Sequence, residues 1–350
     1  MSHYKQQGFI AILALVLISL TAIAFIFNAI NLSNFKEARI SKTGKALVQA
    51  KEALIGFSVG SDDMPGALPC PDTNNDGVTS SSCSASSSIG RLPWKTLGLD
   101  DLRDGDGECL WYAISPVFRK SITTAQRGTS VNFPSLNSTT TGSITAFNDQ
   151  AVALPAPINA VIAVIIAPGA PLNGQSRLDL GSTTCGGNVI ASNYLDSLLG
   201  INNATGNRAG NNLQFIMGKV SSTFNDKVIY ITQEDLYNSL RKRISKEMIG
   251  NFGVYKGLTS YYQSKAQYPC SASSVITATQ DCTTPSAYNG FIPYLDPDIN
   301  YTSLGTWLMN NGWFTLTNYV YNTPTAISLS VAGGASSSTC TANTTTVTCH

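Results

Sequence analysis

Residues 9 to 30 form an uninterrupted apolar run, FIAILALVLISLTAIAFIFNAI, with no charged side chain in it. As a helix, about 22 residues span about 33 Å, the thickness of a bilayer's hydrocarbon core. The run therefore predicts one membrane-crossing helix. No other stretch of the 350 residues is apolar over such a length, which excludes a multi-span membrane protein.

Three fates are open to such a segment. A cleaved secretory signal would use a small-x-small site, and Ala22-Ile23-Ala24 offers one. The apolar run nevertheless continues through Phe25-Ile26-Phe27 into the helix-forming stretch Asn34–Ile40, without the polar break that usually follows a removed signal. A plain anchor fits the hydrophobicity, but it gives no reason for Gly8-Phe9 at the junction with the basic leader.

That junction, Lys5-Gln6-Gln7-Gly8-Phe9, resembles the leader of type IV pilins and type II secretion pseudopilins. The resemblance implies cleavage after Gly8 by a prepilin peptidase and methylation of the new N-terminal Phe9. It also implies a retained helix that rests in the inner membrane and later bundles with other pilin or pseudopilin subunits. Most pilins carry Glu at the fifth mature position, where it resembles a counter-charge for a neighbour's terminal amine. Here that position is Leu13, which by the same resemblance points to a low-copy tip or priming subunit. Past the apolar run, Ile40, Leu47, Ala50, Leu54 and Phe57 fall near one helical stripe, and Gly60 with Ser61-Asp62-Asp63 and Pro65 supplies a stop. The stem helix is expected over 9–59, after a 1–8 leader.

Only 12% of the residues are charged and the formal net charge is +1. A nucleic-acid partner is thus disfavoured, because no Lys/Arg cluster exists to displace counterions. Eight cysteines follow the apolar run, at Cys70, Cys83, Cys109, Cys185, Cys270, Cys282, Cys340 and Cys349. Their even number and loop-like settings favour disulfides in an oxidising compartment. A zinc site would want CxxC spacing or neighbouring histidines, and the histidines are His3 and His350 alone. Nearness in sequence pairs Cys70 with Cys83, Cys270 with Cys282 and Cys340 with Cys349, and elimination leaves Cys109 with Cys185.

The soluble part contains a repeat. Pro69-Cys70, Cys83, Gly90-Arg91-Leu92-Pro93-Trp94 and Leu110-Trp111-Tyr112 have counterparts in Pro269-Cys270, Cys282, Gly290-Phe291-Ile292-Pro293-Tyr294 and Gly312-Trp313-Phe314. Each copy follows a helix. The second helix is expected to start at the N-cap Thr232 and to run to about Ala266, with Leu236, Leu240, Ile244, Met248, Phe252, Tyr255 and Tyr262 on its apolar stripe. Strands are expected within 109–115, 158–167, 213–217 and 228–232, and mobile loops over 121–145 and 202–212. The fold class that follows is α+β. A long N-terminal pilin-like helix, half membrane-spanning and half amphipathic stem, carries a disulfide-bonded head with an antiparallel or mixed sheet and a second long helix. The head divides into a first unit, 60–231, and a second, 232–350, ending in a Ser/Thr-rich hairpin from Ser336 to Cys349 that could meet a surface ligand.

Asp72, Asn74 and Asp76, with Gly77 and the carbonyl of Val78, match the first half of an EF-hand-like calcium loop. The bidentate Glu expected at its twelfth position is replaced by Cys83, so Asp100, Asp101 or Asp104 would have to complete the shell. A metal-free Asn/Asp turn is the other reading, and calcium is the one cofactor considered. The acidic Asp104–Glu108 segment reads as a turn before a strand. No histidine-based triad, paired-carboxylate cleft or nucleotide loop is present, so an enzyme is not expected. The expectation is a minor pilin or pseudopilin-like structural subunit, its head periplasmic and then displayed on a fibre. The alternative is a membrane-anchored periplasmic or surface binding protein.

Overall fold

In the computed structural model, helix α1 runs unbroken from His3 to Gly60, and among its described side chains those of its C-terminal part meet the rest of the protein. The structure describes residues 3–84, 87–130, 133–154, 160–178, 185, 187–250, 256–283, 288–301, 303–332 and 338–349, with side chains of 3–11, 22–33, 303–304 and 338 outside that description. Ala46, Leu47, Ala50 and Leu54 are buried, whereas Ile40 is exposed and Phe57 half-buried, so the docked stripe begins later than its spacing predicts. The helix stops where Gly66 N–H returns to the Ser58 carbonyl, 3.0 Å away. Arg243 donates to the carbonyls of Val59 and of Ser61, satisfying acceptors that a helix C-terminus leaves bare.

The first sheet contains β1 (Ile89–Arg91), β2 (Trp111–Ile114), β3 (Ile144–Phe147), β4 (Ala153–Leu154) and β5 (Val161–Ala167). A two-residue pair, β6 (Ser197–Leu198) and β7 (Ile201–Asn202), follows outside it, and β8 (Leu213–Ile216) and β9 (Lys227–Thr232) complete it. Strand β5 is buried along its whole length, flanked by β2 on one side and β9 on the other. That double burial is why it reads VIAVIIA without a polar alternation. All pairings are antiparallel except β3 with β8, so the sheet is mixed.

Thr232 then caps helix α2 (Gln233–Ile249) in a reciprocal box, its hydroxyl accepting from Asp235 N–H and the Asp235 carboxylate accepting from Thr232 N–H. Leu236, Leu240, Ile244 and Met248 are all buried. The helix ends at Gly250, whose φ of +89° is left-handed and whose added Cβ would lie 1.9 Å from the Lys256 carbonyl oxygen. A separate helix, α3 (Gly257–Lys265), follows; Phe252 and Tyr255 lie outside the described residues. A second sheet is antiparallel throughout, with β10 (Asn289–Gly290) before α4 (Ser303–Asn310) and β11 (Thr317–Thr323), β12 (Ala326–Val331), β13 (Ser338–Ala342) and β14 (Val347–Cys349) after it.

One buried cluster joins α1, α2 and both sheets, from Leu54 through Tyr112, Ile165 and Leu240 to Trp313, Tyr319 and Leu329. Each such large apolar side chain contributes about 1.5–3 kcal/mol when fully buried. The fold is α+β and dominated by its sheets, and it corrects the expected architecture in three respects. Among the described residues, no helix is long and apolar enough to cross a membrane, so the membrane half of α1 is not sustained. The second long helix is two helices, broken where Gly250 turns the chain. The head holds two main sheets in place of one, the second of them incorporating the C-terminal hairpin.

Candidate functional site

The two sequence copies share one backbone device. In the first, Asp72 and Arg91 exchange both N–H···O bonds (2.9 and 2.7 Å), Gly90 pairs with Tyr112 across β1 and β2, and the Tyr112 hydroxyl donates to the Pro69 carbonyl at 3.2 Å. In the second, Ala272 and Phe291 exchange the same two bonds (2.8 and 3.0 Å), Gly290 pairs with Tyr319, and the Tyr319 hydroxyl donates to the Pro269 carbonyl at 2.7 Å. Tyr319, and not Trp313 or Phe314, is therefore the structural counterpart of Tyr112. Trp313 begins a short 3-10 helix inserted before β11. Both glycines are required by close approach, since a Cβ on either would lie 2.5 Å from a carbonyl oxygen, that of Asp72 or of Ala272.

All four disulfides are formed, Cys70–Cys83, Cys109–Cys185, Cys270–Cys282 and Cys340–Cys349. The first closes the ring that holds the Asp72–Val78 turn. There Asp72 Oδ1 accepts from the N–H groups of Asn74 (3.1 Å) and Asn75 (2.7 Å), and Oδ2 from Gly77 (2.7 Å). Asp76 Oδ1 accepts from Val78 N–H at 2.7 Å and Oδ2 from Asn74 Nδ2 at 2.8 Å, while Lys95 Nζ donates to the Asp76 carbonyl at 2.5 Å. These are the bonds of a metal-free Asx-type turn, and each carboxylate keeps lone-pair capacity beyond them. Burial raises the Asp72 carboxyl above its ordinary range, against the backbone donors that lower it.

Two of the acids offered to complete the shell have partners elsewhere. Asp101 pairs with Arg103 at 2.6 Å. Asp104 accepts from the N–H groups of Asp106, Glu108 and Gly169, each at 2.9 Å, and burial raises its carboxyl. That loop docks on α1, with Gly105 N–H donating to Thr43 Oγ1 at 2.9 Å and Arg39 paired to Asp106 at 3.0 Å. Asp101 also lies near Cys109 and Cys185, but a disulfide has no thiolate to offer a metal.

Gly8 and Phe9, the expected processing junction, lie on the backbone of α1, and their side chains are outside the described set. Leu13 is 52% exposed, and Ile12, Leu15, Val16, Leu17, Ile18 and Leu20 are exposed with it. In the isolated chain, then, that turn-by-turn apolar surface has no cover.

Sequence reasoning missed a cavity of about 340 Å³ beside the first copy of the repeat, lined by Asp72, Gly90, Arg91, Trp111, Ala204 and Arg208 among others. Arg91 is 2% exposed, its guanidinium carbon 4.3 Å from the Trp111 ring centre and 4.0 Å from that of Tyr194. Desolvation pulls its pKa down to about 10, which leaves it charged at neutral pH. The signal that could have found it is the mismatch between copies, Asp72 and Arg91 standing where the second has Ala272 and Phe291. Compared with known proteins, the chain matches no family model, no curated protein and no solved structure.

Proposed function

We propose that the chain is a minor type IV pilin or pseudopilin-like structural subunit, non-enzymatic, placed at the tip or in the priming complex of a pilus or secretion pseudopilus. The observation that carries this reading is the uncovered apolar surface around Leu13 on a helix whose other end is packed into the head. Uncovered apolar area of that extent asks for a partner. Helices of sister subunits, apolar on the same length, supply one. Gly8-Phe9 is then the processing junction of a prepilin peptidase, and Leu13 marks a subunit that offers no carboxylate to a neighbour's amine. The four disulfides agree with a head that matures in the periplasm before display at the cell surface.

The test is mass spectrometry of the N-terminus after co-expression with a prepilin peptidase and the other fibre subunits. An N-methylated Phe9 at the start of the chain is expected. Retention of Met1, or a start after Ala24, would overturn the reading. A Leu17→Asp chain should be processed normally yet fail to enter fibres, because the new carboxylate would be buried among apolar helices with no amine to pair with it.

A further inference from the structure

All 22 Lys and Arg and all 21 Asp and Glu precede residue 299. The five strands of the second sheet, β10 to β14, hold no charged side chain at all. A protein surface commonly keeps about 25–35% charged residues for solubility, so a whole sheet without one is a feature with a cost.

The missing charge matters on one face. Tyr319, Leu329 and Cys340 stand opposite one another across β11, β12 and β13 and are fully buried. Side chains alternate along a strand, so the row next to them points away from the core. That row runs Asn289, Val320, Ser328, Thr341, Thr348, one residue from each strand in direct register. Asn289, Thr341 and Thr348 are exposed, and Val320 and Ser328 half-buried. Asn322 Nδ2 donates to Ser328 Oγ at 2.7 Å, which leaves that hydroxyl its own proton to give. Asn318, Ser330 and Thr339 form a second row alongside.

The first unit shows the same face in a structural role. With Gly90 matched to Gly290 and Tyr112 to Tyr319, the positions equivalent to Asn289, Asn318 and Val320 are Ile89, Trp111 and Ala113. Those pack under a further apolar layer that includes Tyr194, Leu195, Ala204 and Phe215. In the second unit the exposure of Asn289 and Asn318 shows that the face is open among the described residues, and its positions hold amides and hydroxyls.

Chemistry selects the occupant. A charged ligand finds no counter-charge here, a nucleic acid finds no cations, and the core of a protein interface would want aromatic anchors. A neutral polyhydroxyl surface suits it. Threonine offers a methyl group beside a hydroxyl that both donates and accepts, and a pyranose ring offers the counterpart, an apolar C–H face edged by hydroxyls. Neighbouring strands lie about 4.7–4.9 Å apart, close to the length that one β-1,4-linked hexose adds to an extended chain. We propose that this face binds a neutral, extended β-1,4-linked polysaccharide lying across the strands, its rings over Val320 and the Thr341 and Thr348 methyl groups and its hydroxyls on Asn289, Ser328 and Thr348. The site goes beyond the assembly role and does not depend on it.

The full chain, kept in a sugar-free detergent that covers α1, is mixed with insoluble cellulose, chitin, starch and polygalacturonate, and its depletion from solution is measured. Retention on cellulose, on chitin or on both is expected, the pattern reporting whether the sugar's second carbon carries a hydroxyl or an acetamide. It should be unchanged between about 0.1 M and about 1 M salt, which shortens the Debye length from about 10 to about 3 Å. Thr341→Lys, at an exposed position within the row, should weaken retention at least about tenfold at an unchanged melting temperature, and Thr348→Lys repeats the test at the sheet's edge. Gln150→Lys, the same charge on an exposed loop of the first unit, should bind as the parent does. Absence from both cellulose and chitin, equal retention on starch or polygalacturonate, loss in high salt, or parent-like binding by both threonine variants would each overturn the assignment.

Discussion

Lys51 Nζ lies 2.9 Å from Asp235 Oδ2 and 3.2 Å from the Tyr230 carbonyl, so one side chain of α1 fastens the stem to the end of β9 and the first turn of α2. Asp235 is at the same time the second half of the Thr232 capping box. Burial alone would raise its pKa, but donors from Thr232 and Lys51 outweigh it and hold the carboxyl below its ordinary value.

The two partners should therefore differ in weight. Both are about a third exposed, so Lys51→Met is expected to cost only about 0.5–1 kcal/mol. Asp235→Ala removes the cap as well and should cost about 1–2 kcal/mol. Because the carboxyl is depressed, its contribution is present at neutral pH and is lost as pH falls below about 4. Urea melts at pH 7 and pH 3 check this, and equal costs at both would refute it.

A pH dependence of opposite sign should come from Asp226. Burial, and after it the neighbouring Asp196, push its carboxyl up to about 8, although it accepts from Asp196 N–H and Asn203 Nδ2, each at 2.9 Å. A raised acid favours the fold only while protonated. Its contribution is complete below about pH 3.9, the unfolded value, and is lost as pH rises to about 8. Thermal melts should fall over that window. Asp226→Asn should flatten the fall and melt higher than the parent at pH 9; a variant with the parent's slope would place the titration elsewhere.

The repeated corners give a matched pair. Gly90→Ala and Gly290→Ala each force a Cβ against a carbonyl oxygen 2.5 Å away, and each is expected to cost about 1–3 kcal/mol by overpacking. Denaturant midpoints of the two variants should drop together, and a neutral Gly290→Ala would break the equivalence.

The disulfides should rank by the chain they close. Cys109 and Cys185 are 76 residues apart and Cys340 and Cys349 only 9. Chain entropy assigns about 4.5 kcal/mol to the first and about 2.6 kcal/mol to the second. Paired Cys→Ala variants compared by calorimetry test the order.

Much of this was written in particular residues. The runs at 109–115, 158–167, 213–217 and 228–232 contain β2, β5, β8 and β9 because buried strands concentrate Val, Ile and aromatics. The meander β11–β12 escaped notice, since its apolar positions alternate with Asn, Thr and Ser. Gly90 and Gly290 marked the repeat correctly, but α4 and a 3-10 turn intervene before Tyr319, which drew Trp313 into a false match with Trp111. Asp72 reads equally as a metal ligand and as a turn residue because an Asx-type turn and a calcium loop ask for the same residues. Nothing local distinguishes them. Arg208 belongs to no motif and meets Arg91 and Trp111 of the first repeat copy through tertiary folding alone.

The stem's attachment has a mechanical meaning. Every cysteine lies beyond Gly60, so no covalent bond stitches α1 to the head other than the chain itself. Ala46, Leu47, Ala50 and Leu54 lie along the head with the Lys51–Asp235 pair between them. A pull along the helix axis loads that seam in shear, all contacts at once, and passes its tension to the peptide leaving Gly60, while the disulfide-closed loops stay outside the line of force.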